Sequence, residues 1–112
     1  MTTYNFGDIL LVRFPFTDQS STKKRPAVVI SSNRYHQEKS DLIIMAITSQ
    51  ISSSSQWGEV LITNFSACGL IKPSAIKPVI TTLQKNLVIR KLGTLQNSDQ
   101  DNLRNLLQTL FA

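Results

Sequence analysis

Lys23-Lys24-Arg25-Pro26-Ala27-Val28-Val29-Ile30-Ser31 sets three cations directly ahead of an apolar, β-branched run. Val28, Val29 and Ile30 suit a buried pleated surface. A proline opening a strand breaks no ladder, because its missing N–H can face outward at the first position. The stretch therefore predicts a core strand whose mouth carries Lys23, Lys24 and Arg25 on a rigid edge, turned toward a polyanion.

Outward from this strand the apolar pattern stays short and β-like. Asp8 to Phe14, Pro26 to Ser32, Leu42 to Thr48, Trp57 to Ile62, Ser74 to Leu83 and Leu87 to Leu92 read as six strands. Turn chemistry separates them: Gly7 before the first, the polar Thr17 to Thr22 loop before the second, Ser52 to Gln56 before the fourth, and Asn64 to Gly69 after it. A small β-barrel or β-sandwich follows. The serine run Ser52 to Ser55 has no apolar anchor and reads as a loop tip or a lid over a site.

The period changes at the C-terminus. Leu103, Leu106, Leu107, Leu110 and Phe111 recur at helical spacing, which predicts a helix from about Asp99 to Leu110 with its leucines against the sheet. Ser98 is the expected N-cap, and Asp99 and Asp101 fall in the first turn, where the helix dipole favours negative charge.

The 112 residues make one domain, 1–112, with one core that buries roughly two thirds of the unfolded surface. No apolar run approaches the ~20 residues that span a bilayer, and the N-terminus lacks a basic-then-apolar leader pattern, so no membrane association and a cytoplasmic location are expected. One cysteine, Cys68, and one histidine, His36, exclude an internal disulfide and a cysteine-rich zinc cluster; no metal and no cofactor are expected.

A net charge of +5 points to an acidic partner, and its placement sharpens the reading. Between Gln19 and Gln37 stand Lys23, Lys24, Arg25 and Arg34 with no acid; between Val60 and Ser98 stand Lys72, Lys77, Lys85, Arg90 and Lys91, again with none. Basic side chains beside strands can neutralise phosphates, against the plainer reading of a solvated surface.

Several chemistries lack their residues. His36 lies in a polar segment and reads as a solvated loop histidine rather than a hydrolase base; Cys68, without a basic neighbour closer than Lys72, reads as a buried, inert thiol. The multi-glycine spacing of a phosphate loop is absent. RNA cleavage makes smaller demands, because the substrate's 2′-hydroxyl is the nucleophile. The protein need only align that hydroxyl, stabilise charge on the phosphate and help protons move. Arg25 offers a planar fork for two phosphate oxygens, and Thr48, at a strand end ahead of Ser49 and Gln50, offers a hydroxyl or simply starts a turn.

At these residues the chain resembles the MazF/PemK-like toxins of bacterial toxin-antitoxin modules. The resemblance lies in Gly7-Asp8-Ile9-Leu10-Leu11-Val12, Lys24 to Ser31, Ile47-Thr48-Ser49, Gly69-Leu70-Ile71-Lys72-Pro73-Ser74 and Arg90-Lys91-Leu92-Gly93-Thr94-Leu95, in that order over most of the chain. It implies a mainly β fold with a C-terminal helix, an SH3-like small β-barrel. It further implies a homodimer, a metal-independent endoribonuclease acting on single-stranded RNA, and an antitoxin partner whose tail occupies the RNA groove.

Carried over by motif, Arg25 matches the family's catalytic arginine and Thr48 its catalytic threonine, and the products implied are a 2′,3′-cyclic phosphate and a 5′-hydroxyl. Lys23, Lys24 and Lys77 would contact phosphates; Ser49 and Gln50 would read base edges. Phe16 is the expected stacking residue, Phe14 is more at home in the core, and Trp57 could also stack. Some relatives carry an acid in a basic-x-Asp arrangement where this chain has Lys77-Pro78-Val79. Asp8 and Asp18 are the nearest acids in sequence to the basic loop, and each has a plain structural reading. Two alternatives from other classes are a toxin of the same fold that binds DNA gyrase without cutting, and a basic β-barrel that binds RNA without chemistry.

Overall fold

The β-branched runs pair into one antiparallel sheet. The computed structural model describes residues 3–14, 23–51 and 57–112, with Phe14 and Lys23 as backbone only. The strands are β1 (Asp8–Phe14), β2 (Lys23–Val29), β3 (Asp41–Thr48), β4 (Val60–Leu61), β5 (Ala75–Gln84) and β6 (Val88–Thr94), in the order β4-β5-β3-β2-β1-β6. The fold class is the one expected, but the sheet does not close: β4 and β6 remain its two edges.

The central strands read as nearly continuous apolar runs because both of their faces are covered. On one face Leu10, Val12, Ala27, Val29, Leu42, Ile44 and Leu83 pack together; on the other, Ile9, Val28, Met45, Ile47 and Ile76 meet Cys68, Leu95 and Leu103. The second face receives helix α2 (Asn97–Leu110), whose Leu106, Leu107 and Leu110 flank Leu103. Phe111 lies beyond the helix and is exposed. The helix begins earlier than the sequence suggested. Gln96 holds the N-cap position without a side-chain bond, and Ser98 is already inside. Asp99 does the tying instead: fully buried, its Oδ2 accepts from both the N–H and the hydroxyl of Thr63, at 3.1 Å each. The first-turn carboxylate thus joins the favourable end of the helix dipole to the chain after β4.

A short helix, α1 (Asn33–Glu38), replaces the expected polar loop, capped by the Ser32 hydroxyl on the N–H of Tyr35. It corrects the reading of His36, which is 8% exposed rather than solvated. Its Nδ1 lies 2.7 Å from the Tyr4 carbonyl, which can only accept, so the ring N–H is there and Nε2 accepts from the Ser31 hydroxyl. Ser31 Oγ in turn accepts from the Ile43 N–H. The histidine is a bolt between α1, the N-terminal segment and β3.

Asp8 is likewise structural. It is 1% exposed and bound by the Asn5 N–H at 2.8 Å, the Thr94 hydroxyl at 3.0 Å and the Lys91 ammonium at 3.3 Å. Cys68 is buried as expected. Burial pushes its thiol pKa up, outweighing the opposing pull of the backbone hydrogen bond at Gln96, and the nearby Asp99 charge adds a smaller push upward. Two results follow. A thiol reagent at pH 8 should leave native Cys68 unmodified and react once the chain unfolds. A raised folded-state pKa also means that the unfolded chain ionises first, so stability is full below the ordinary thiol value of ~8.5 and falls as pH climbs past it. Urea melts at pH 7.5 and 9.5 with Cys68→Ala as control would check the slope.

Candidate active site

The register of β2 on β3 runs Val29 to Ile44, Val28 to Met45 and Ala27 to Ala46, and there it stops. The next residue, Pro26, has no N–H to give. Past this point the two strands part and open a cleft of about 380 Å³ lined by Lys24, Arg25, Pro26, Ala46, Ile47, Thr48, Ser49, Gln50, Lys77 and Val79. Carrying the register two residues further places Arg25 across from Thr48. Because the opening lies between strands, residues from both faces of the sheet reach it.

The far wall comes from a bulge. Met45 pairs with Ile80 and Ile47 with Ile76, so Lys77, Pro78 and Val79 all stand opposite Ala46 alone. Extra residues in one strand re-aim side chains, and here they bring Lys77 and Val79 to the cleft. Pro78 is tolerated in mid-strand because no ladder bond is asked of it at the bulge, and β4, pairing at Val60 and Leu61, ends short of it.

Thr48 lines the cleft and starts a turn. Its Oγ1 accepts from the Gln50 N–H at 3.1 Å, so it does start a turn, and that turn folds Ser49 and Gln50 onto the cleft rim. Accepting through oxygen leaves the hydroxyl proton as the donor it can offer an anion. Among the described residues the charge is one-signed: Lys24, Arg25 and Lys77 line the cleft, with neither carboxylate nor imidazole beside them in its lining. Arg13 extends the same sign, being exposed and paired with Lys24 across β1 and β2.

Of the eight site residues expected from sequence, six line this one cleft: Arg25, Thr48, Lys24, Ser49, Gln50 and Lys77. Phe16 lies outside the described residues, as do Asp18 and the Ser52 to Gln56 loop, and Lys23 is described only as backbone. Asp8 sits at the other end of β1 and takes no part: it pairs with Thr94, whereas Arg25 pairs with Val12. Sequence reasoning passed over Ala46 and Val79. Ala46 is a small floor residue without a signature. Val79 was findable, since a proline inside a strand pattern already marks a bulge that turns its neighbours. Among the described residues no three of His, Cys, Asp and Glu are grouped to hold a metal ion.

The fold itself, an antiparallel sheet with a C-terminal helix, is shared with solved toxin structures. The Mycobacterium tuberculosis toxin MazF-mt6 superposes with a TM-score of 0.74 at 17% identity, over 91% of this chain and 93% of that one. MazF from Deinococcus radiodurans gives 0.75 at 16%, over 98% and 97%. A mycobacterial endoribonuclease in complex with its cognate antitoxin gives 0.71 at 15%, over 97% and 93%. No curated protein sequence matches the chain. The family model of the PemK-like, MazF-like toxins of type II toxin-antitoxin systems matches residues 5–111, and the chain belongs to that family.

Proposed function

We propose that this toxin, acting as a single 1–112 domain, is a metal-independent endoribonuclease that cuts single-stranded RNA at short sequences. The observation that supports it most is the convergence of Arg25 and Thr48 on one cleft, with Lys24, Lys77, Ser49 and Gln50 around them and no acid among the described lining residues. In this reading the substrate's 2′-hydroxyl attacks the adjacent phosphorus, the P–O5′ bond breaks, and the products carry a 2′,3′-cyclic phosphate and a 5′-hydroxyl. Arg25 stabilises the charge that grows on the non-bridging oxygens. Thr48 holds the phosphate or the 2′-hydroxyl by hydrogen bonding. Lys24 and Lys77 neutralise flanking phosphates, together with Lys23; Phe16 stacks a base; Ser49 and Gln50 read base edges.

The same reading includes a homodimer, an antitoxin that blocks the cleft, and a cytoplasmic site of action. Support for the protein partners comes from exposed apolar side chains, among them Leu61, Ile71, Ile80 and Ile89, and from the antitoxin-bound state of similar folds. No helix of the described residues is long and apolar enough to cross a membrane.

The test is incubation of purified protein in EDTA with a long unstructured RNA, followed by mapping of new 5′ ends. Defined cuts carrying 5′-hydroxyls support the proposal. Thr48→Ala should slow them by about 10- to 100-fold, as expected for one lost hydrogen bond of ~1.5–3 kcal/mol to a charged group. Thr48→Ser, which keeps the hydroxyl, should recover most of the loss. Folded protein that binds the RNA and leaves it whole would overturn the reading.

A further inference from the structure

Trp57 is the only tryptophan of the chain, and 76% of it is exposed. Its neighbour places it beside the bulge. Gly58 is buried with φ +90, and a Cβ there would come within 3.4 Å of the Pro78 ring. Pro78 is the middle of the bulge whose Lys77 and Val79 form the cleft wall. Trp57 thus stands one residue from a glycine that lies beside the bulge forming the cleft's far side.

We infer that Trp57 is a stacking platform for one unpaired base of the RNA as it leaves the cleft over β5, an inference that rests on the ribonuclease reading. The charge beside it selects the ligand class. Lys24, Arg25 and Lys77 favour a polyanion, and a flat aromatic next to a cationic channel is how single strands are held without regard to sequence, every base having a π-face. Glu59, two residues on and half-buried, disfavours a phosphate at the indole itself and leaves the base as the group to meet it. Leu61, the exposed apolar residue nearest in sequence, lies away from the bulge: it pairs with Ala75, one step further from Pro78 than Val60 with Ile76.

The chain's single tryptophan makes the test direct. Wild-type protein is titrated with a short 2′-O-methyl RNA, which lacks the nucleophile and stays whole, while Trp57 emission and the anisotropy of a labelled strand are followed together. Emission should be quenched with the same Kd that anisotropy gives, and an abasic site at one nucleotide should abolish the quench while binding persists. Trp57→Ala should weaken binding by about 5- to 150-fold, the span reported by one lost stack, and Trp57→Phe should restore most of it. Binding by anisotropy with unchanged emission, and Trp57→Ala at wild-type affinity, would overturn the inference while leaving the ribonuclease reading intact. Quenching by self-association or by a protein partner, with none by RNA, would also overturn it and assign the indole to a protein interface. No binding of any RNA would remove the ribonuclease reading and this one with it.

Discussion

Arg25→Ala should lose RNA cutting by about 10²–10³-fold in single-turnover rate, the cost of removing one positioned donor from developing charge. Its melt should stay within roughly 0.5 kcal/mol of wild type, because an exposed strand-mouth side chain carries little of the core. Arg25→Lys should recover only a small part. A lysine supplies the charge as a point and cannot present two parallel N–H bonds to two phosphate oxygens. The cleft wall also predicts the shape of the pH profile. Neither His, Asp nor Glu is among the described lining residues, so cutting should show no bell between pH 5 and 8 of the kind an imidazole or carboxylate pair imposes. A wild-type rate for Arg25→Ala would sink the assignment outright; a clear acid limb near pH 6 would show that a group outside the described lining enters the site.

The sheet was legible because β-branched runs between turn residues have few other ways to be buried, and β1 and β3 match their expected bounds closely. The cleft was legible only in part. Arg25 and Thr48 could be paired as strand ends, yet nothing in their spacing gives the register that brings both to one cleft. Lys77 and Val79 share the cleft wall, a placement that period-two reading cannot produce, because they stand two apart on a strand that has bulged. Pro78 was the visible sign. His36 was misread for a related reason: its neighbours Asn33, Arg34 and Gln37 are polar, and a helix of six residues has too few turns to display an apolar stripe. It is held by the nearby Ser31 hydroxyl and by the carbonyl of Tyr4, 32 residues away, a partner that the local sequence does not announce. Asp99 was read correctly as a first-turn acid, but its bond to Thr63 belongs to tertiary structure alone.

The glycines of two motif segments, Gly69 and Gly93, turn out to be a single packing contact, and Gly69→Ala should be among the most destabilising single substitutions in the chain. A Cβ on Gly69 would overlap the Leu92 carbonyl oxygen and stand 2.6 Å from its carbon; one on Gly93 would overlap the Cys68 carbonyl and stand 2.6 Å from its carbon. All four atoms are backbone, so no side chain can swing aside. Gly69 also has φ +83 at the end of the turn Ser66–Cys68, where an L side chain adds roughly 1–2 kcal/mol of local strain. With ~1–3 kcal/mol for forced overpacking, Gly69→Ala should cost about 3 kcal/mol or more, a fall in Tm beyond ~10 °C for a domain of this size. Gly93→Ala carries the overlap without the positive φ and should cost less. Together the two should cost less than their sum, because the first substitution already pushes the turn off β6 and the second then meets open space. Urea melts of both single variants and the double would read this directly, and a Gly93→Ala protein indistinguishable from wild type would refute the shared contact. The contact pairs with Ile9, whereas Arg25 pairs with Val12, so it lies toward the opposite end of β1 from the cleft. RNA cutting per folded molecule should therefore survive in both variants at low temperature, which separates what holds the sheet to its helical layer from what the parted strands do to a phosphate.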